Sequence, residues 1–156
     1  MIFMESSRRI QRFLDTNILV YSIDLSKDNQ EKHRLSLETI RPNETEILCV
    51  SPQILAEFYA VVTSSKSVIK PISPQEAISR IKRFSQMSNI RVLPLPENLF
   101  DYWLPLLEIN LITGADVFDR IHLATMLAYQ IKSIYTFNTE DFNWYSEIEV
   151  ISPYAK

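Results

Sequence analysis

Arg12-Phe13-Leu14-Asp15-Thr16-Asn17-Ile18-Leu19-Val20-Tyr21 is the stretch on which the fold turns. Ile10 to Leu14 has the length and apolar content of a strand, and Ile18 opens a helix reaching about Asp24. A carboxylate and two polar residues stand between these core-forming runs. If the first run is a buried strand, Asp15 sits at its carboxyl end, where open α/β sheets hold their ligands. Asp15 or Thr16 is also placed to cap the helix that follows. Taken alone, the stretch favours the cap over the chemistry.

Outward from it, strand-like and helical stretches alternate. Gln30 to Ile40 reads as a helix with His33 and Glu38 on its polar, surface side, and Arg41 to Glu44 as a loop. Glu46 to Val50 is a second strand. Ser51-Pro52 starts a helix running to about Ser64, with Ser51 as cap and Pro52 in the first turn. Ser73-Pro74-Gln75-Glu76 is a capping box opening another, whose apolar stripe is Ala77, Ile81 and Phe84. Ile90 to Leu93 is strand three. Glu97 to Asn110 is helical, with Trp103, Leu106 and Leu107 facing the core. After a turn at Thr113 to Asp116, Phe118 to Gln130 is helical and Ser133 to Phe137 is strand four. Asn138 to Asp141 is a capped turn, and Glu147 to Ile151 a last strand stopped by Pro153. This alternation specifies an α/β fold with a mainly parallel sheet. With no repeat and no linker, the expectation is a single domain over residues 1–156, its core at about 10–153 and residues 1–9 a short N-terminal extension.

Composition narrows the function. Of 156 residues, 46% are apolar and 22% charged, values of a globular chain and not a disordered one. The net charge of −3 gives no footprint for non-specific nucleic-acid binding, so any such binding needs local basic residues and something to neutralise nearby acids. Cys49 is the only cysteine and lies in an apolar run, so it reads as a small buried hydrophobe; the chain has no Cys/His cluster for zinc. No apolar run is long enough for a membrane span and the N-terminus lacks a signal-peptide core, which points to the cytoplasm and to no membrane partner. Gly114 is the only glycine, which excludes both the dinucleotide fingerprint and the P-loop, and with them a nucleotide cofactor.

Several acids stand where a core would not want them. Glu57 has Ile54 and Val61 for helical neighbours, so it is either a stripe-edge residue reaching solvent or a buried acid that needs a partner. Asp119 falls in a first helical turn among Phe118, Ile121 and Leu123, a partly buried acid favoured by free backbone N–H groups. Asp116 reads as the cap of that helix. Asn138 and Asp141 follow strand four as Asp15 follows strand one, and in a parallel sheet such ends share a rim. Asp15, Glu57, Asp119 and the pair Asn138 and Asp141 thus reach what can be one rim. Acids brought together repel unless a cation lies among them. Oxygen-only ligands suit Mg²⁺ or Mn²⁺, which activate a water and clamp a phosphodiester oxygen.

Four segments in order resemble the PIN domain, and most nearly the VapC-type toxins of toxin–antitoxin pairs. They are Phe13 to Tyr21, Pro52 to Tyr59, Asp119 to Thr125, and Tyr135 to Phe142. The resemblance covers roughly Ile10 to Pro153. It implies a three-layer α/β/α sandwich and a Mg²⁺- or Mn²⁺-dependent endoribonuclease. By it, Asp15, Glu57 and Asp119 form the catalytic and metal-binding acidic triad, with Asp15 and Asp119 the foremost direct ligands. Thr16 and Asn17 match the polar residues that orient the first acid or the attacking water. The fourth position, often aspartate in the family, is Asn138 here. An amide lowers the site's negative charge, Asp141 partly replaces it, and one ion is expected. The family also implies a homodimer, an RNA substrate and a small inhibitory antitoxin.

Arg8, Arg9, Arg12, Arg80, Lys82 and Arg83 are the basic candidates for RNA contact, each also readable as an ordinary surface charge. His122, one turn after Asp119, reads as a packed helix residue. The alternative function is a catalytically weak PIN-like interaction module acting through protein partners. A phosphatase built on Asp15 would need a second acid two residues on, where this chain has Asn17.

Overall fold

The computed structural model describes residues 8–155, so residues 1–7 of the expected N-terminal extension lie outside the described residues. The strands are β1 (Ile10–Leu14), β2 (Glu46–Val50), β3 (Ile90–Val92), β4 (Ser133–Tyr135) and β5 (Glu149–Ile151). The helices are α1 (Thr16–Ile23), α2 (Gln30–Ile40), α3 (Pro52–Val62), α4 (Pro74–Gln86), α5 (Leu99–Ile109) and α6 (Val117–Ala128). All pairings are parallel and the strand order is β3-β2-β1-β4-β5.

That order fixes the layers. The chain steps outward from β1 to β2 to β3, then returns across the sheet to β4 and on to β5. Parallel crossovers are right-handed, so reversing direction moves the connecting helices to the other face. α1 to α4 therefore cover one face, and α5 with α6 the other, which is the expected three-layer sandwich. The reversal makes β1 and β4 the switch point, where the two helical layers part and leave a crevice beyond the strands' carboxyl ends. Asp15 lies immediately past β1 and Thr136 immediately past β4, and the Asp15 amide donates to the Tyr135 carbonyl at 3.0 Å.

The central strands are apolar because both faces are covered. Phe13, Leu14, Leu48, Cys49, Val50 and Ile134 are buried, joined from the helices by Ile18, Leu19, Ile54, Phe58, Leu123 and Met126. Burial pushes the Cys49 thiol up to about 11, so it stays a neutral hydrophobe at ordinary pH. Ser51 accepts from the Ile54 amide and Ser73 from the Glu76 amide, as expected for caps. The capping box is only half made, because Glu76 pairs with Arg80 instead. Asp116 precedes α6 but in helical backbone geometry, with no side-chain cap bond, so it is not the cap the sequence indicates. Strand four stops at Tyr135, two residues earlier than expected, which frees Thr136 and Phe137 to line the crevice. His33, read as a surface residue, is half-buried, and its Nδ1–H donates to the Tyr21 carbonyl at the end of α1. On α5 only Leu106 of the three expected core residues is fully buried; Trp103 and Leu107 are half-covered. Among the described residues no helix is long and apolar enough to cross a membrane.

Candidate active site

Asp15 caps a helix and also faces the end of β4. It is the N-cap of α1, in extended backbone geometry, and its Oδ1 accepts from the Thr16 amide at 2.8 Å. Its Oδ2 faces β4, accepting from Thr136 Oγ1 at 2.7 Å and from Asn17 Nδ2 at 3.3 Å. Asn17 also reaches across, its Oδ1 accepting from the Phe137 amide at 3.2 Å. Thr136 in turn accepts from the Asn138 amide at 3.0 Å. These bonds tie the start of α1 to the end of β4. Burial raises the Asp15 pKa, against the lowering effect of the Thr136 bond and the His122 charge.

Glu57 enters from α3 and is held on both oxygens. Thr16 Oγ1 donates to Oε2 at 2.7 Å, and Gln53 Nε2, one turn back on α3, donates to Oε1 at 3.1 Å. His122, fully buried on α6, brings Nε2 to within 2.9 and 3.1 Å of the two oxygens. Burial pushes the Glu57 carboxyl up, but His122, by hydrogen bond and charge, with Thr16 and Gln53, leaves it below its ordinary value. The contact joins α3 of one helical layer to α6 of the other.

Asp119, in the first turn of α6, is the opposite case. Its carboxylate has no hydrogen-bond donor among the described residues. Burial, then the charges of Asp141 and Asp15, push its pKa up to about 7. Asp141 is raised too, by burial and by Glu140, Asp15 and Asp116, with Arg120 opposing. Arg120 is itself buried, its guanidinium 3.9 Å from the Trp144 ring centroid. Asn138 is exposed, with its backbone rather than its side chain in the network. Asp116 is exposed.

The structure thus connects Asp15, Thr16, Asn17 and Glu57 through hydrogen bonds, and Asp119 and Asp141 to them through charge. Among the described residues no three His, Cys, Asp or Glu side chains stand close enough to enclose a metal ion together. The donor chemistry does fit a hard cation: crowded carboxylates with unmet acceptor capacity raise one another's pKa, and a cation relieves that. Asp15 and Glu57 each accept hydrogen bonds on both carboxylate oxygens, whereas the Asp119 and Asp141 carboxylates have no hydrogen-bond donor among the described residues, so the open acceptor capacity lies with that pair.

The basic candidates do not join this site. Arg12 pairs with Glu46 at 2.7 Å and with Glu149 at 3.6 Å along the sheet. With Arg8, Arg9, Arg91 and Lys132 it lines a cleft by the strands' amino ends, away from the acids. Arg80 pairs with Glu76, and Lys82 and Arg83 lie exposed on α4. Three residues of the network escaped the sequence reading. In the sequence Thr136 falls inside an expected strand, Gln53 has only its one-turn spacing from Glu57, and His122 is a helix residue suited to packing.

A model of the PIN domain matches residues 12–146. The fold is similar to VapBC2 from Rickettsia felis bound to a promoter DNA fragment (TM-score 0.63, 20% identity, 92% of this chain and 98% of that one). It is also similar to Mycobacterium tuberculosis VapC20, a Sarcin-Ricin loop cleaving toxin (TM-score 0.62, 16% identity, 88% and 97%). VapBC-1 from nontypeable Haemophilus influenzae gives a TM-score of 0.63 at 16% identity over 93% and 99%. No curated protein matches the sequence. With the family's model matched from Arg12 to Ser146, the chain belongs to the PIN-domain family.

Proposed function

We propose that the protein is an endoribonuclease, the toxin of a toxin–antitoxin pair, that hydrolyses RNA phosphodiester bonds with one Mg²⁺ or Mn²⁺ ion. The observation that carries this is Asp119: a half-buried carboxylate without a donor, its pKa pushed up to about 7 by burial and by its acidic neighbours. Such a group costs stability unless a cation meets it. Asp15 and Asp119 would hold the ion, which when bound activates a water and neutralises charge on the phosphate. Thr136 and Asn17 aim Asp15. Thr16, Gln53 and His122 keep Glu57 ionised at the crevice, where a carboxylate can accept a proton from the attacking water. Asn138, an amide where the family often has an acid, favours one ion over two. The site works in the cytoplasm, on RNA, and under the control of a small antitoxin protein.

The family likeness to VapBC assemblies supports an antitoxin partner. Exposed Phe100, Ile109 and Leu111 on and after α5, and Phe118 on α6, support an apolar contact of this kind or a homodimer. The test is cleavage of RNA by the purified protein. Activity is expected to stop in EDTA and to return with Mn²⁺ or Mg²⁺; cleavage that continues at full rate in EDTA would overturn the metal reading.

A further inference from the structure

One aromatic cluster beside the acidic crevice has no part in the chemistry above. Phe137 follows β4, and its amide is one hydrogen bond from Asn17, which in turn touches Asp15. The Phe137 ring meets Tyr21 edge-on at 5.3 Å and Tyr154 edge-on at 5.5 Å. Tyr21 lies one turn beyond Asn17 on α1, and Tyr154 in the C-terminal turn. Lys32, from α2, sets its Nζ 4.7 Å from the Tyr21 ring centroid and 6.0 Å from that of Phe137, and donates to the Tyr21 hydroxyl at 3.3 Å. Four separate segments therefore bring three rings and a cation to one side of the crevice. Tyr154 is 51% exposed, and Lys32 has no carboxylate within 4 Å among the described residues.

We propose that Lys32, Tyr21, Phe137 and Tyr154 form a binding platform for the RNA strand next to the bond being cut, with a base stacked on Tyr154 and a phosphate held by Lys32. The proposal rests on the ribonuclease reading of the crevice. The acids repel phosphates, and the cleft lined by Arg8, Arg9 and Arg12 lies toward the other end of the strands, so strand binding near the cut needs its own cation. Aromatic rings beside a cation are the general means of holding a single strand without reading its sequence. Ordinary packing of the C-terminal turn would account for the rings alone. It gives no reason for a lysine over two of them without an acid partner.

The experiment is binding of a labelled, unstructured RNA oligonucleotide to the full chain in EDTA, across a salt series, with thermal melting of each variant. Tyr154→Leu is expected to weaken binding roughly five- to a hundredfold, the range of one stacked base, while Tyr154→Phe stays within about twofold. Lys32→Gln is expected to lower the slope of log affinity against log salt by about 0.7, one single-strand phosphate contact, and Lys32→Arg to restore it. Unchanged binding by Tyr154→Leu, equal losses in Tyr154→Phe and Tyr154→Leu, or an unchanged slope in Lys32→Gln would each overturn the proposal. If Tyr154→Leu melts early, Tyr154→Trp decides, with binding at least as tight as wild type expected and weaker binding contradicting it. Because binding is read without metal, a protein that binds through the platform yet never cleaves would sink the ribonuclease reading and not this one.

Discussion

The pKa values of Asp119 and Glu57 shift in opposite directions, because at Asp119 burial and the charges of Asp141 and Asp15 outweigh His122, while at Glu57 burial is outweighed by the bonds from His122, Thr16 and Gln53. The consequence for Asp119 is a pH-dependent stability. Below its ordinary value of 3.8 the carboxyl is protonated in folded and unfolded chains alike. Between there and about 7 only the folded chain keeps the proton, so stability falls as pH rises through that window and stays low above it. Metal-free wild type is expected to lose melting temperature from pH 5 to 8, and Asp119→Asn to lose less; parallel slopes in thermal denaturation would contradict this. For His122 the expectation is loss of its hold on Glu57. His122→Leu should cut activity about 10- to 100-fold, the usual cost of removing the group that orients a catalytic carboxylate, with the fold kept as judged by circular dichroism. Asp15 was legible as an out-of-place acid, and Glu57 as a carboxylate on an apolar stripe. His122 was not, because a histidine on a helix gives no local sign of whether its ring meets packing or an acid 65 residues away.

Helix starts were easier to read than helix ends. Ser51-Pro52 and Ser73-Pro74 announced α3 and α4, and the residues at both positions cap as expected. Ser51→Ala should destabilise the protein by about 1 kcal/mol in chemical denaturation, and, since α3 carries Glu57, should loosen the site as well. The end of α6 had no such signal. Gln130 adopts φ 58°, with its amide bonded to Leu127 O at 3.1 Å and that of Ile131 to Met126 O at 2.9 Å. That is a Schellman turn with glutamine where glycine is the usual choice. In a chain with one glycine this position cannot be recognised from composition. Gln130→Gly should raise stability by up to about 1 kcal/mol by removing the left-handed strain; a loss of stability would show that the Gln130 side chain matters more than its backbone. The early end of β4 was hidden for a related reason: Thr136 and Phe137 have strand propensity, and although the Thr136 amide still bonds to the Ile151 carbonyl at 3.1 Å, the Phe137 amide turns to the Asn17 side chain instead of extending the ladder.

At the scale of the molecule, strand–helix alternation made the parallel sheet legible, but not the strand order. That order decides everything about the site, because only the reversal between β1 and β4 brings residues separated by more than a hundred positions to one crevice. Asp15 accepting from Thr136, 121 residues on, is the direct trace of it. On the function proposed above, this crevice cuts RNA with a metal held by Asp15. The measurement that tests it most directly is the rate of cleavage of one RNA by wild type and by Asp15→Asn at saturating Mn²⁺, with both proteins shown to be folded. The variant is expected to lose activity by at least about a hundredfold, as when a metal ligand is removed. Cleavage by Asp15→Asn at the wild-type rate would contradict it.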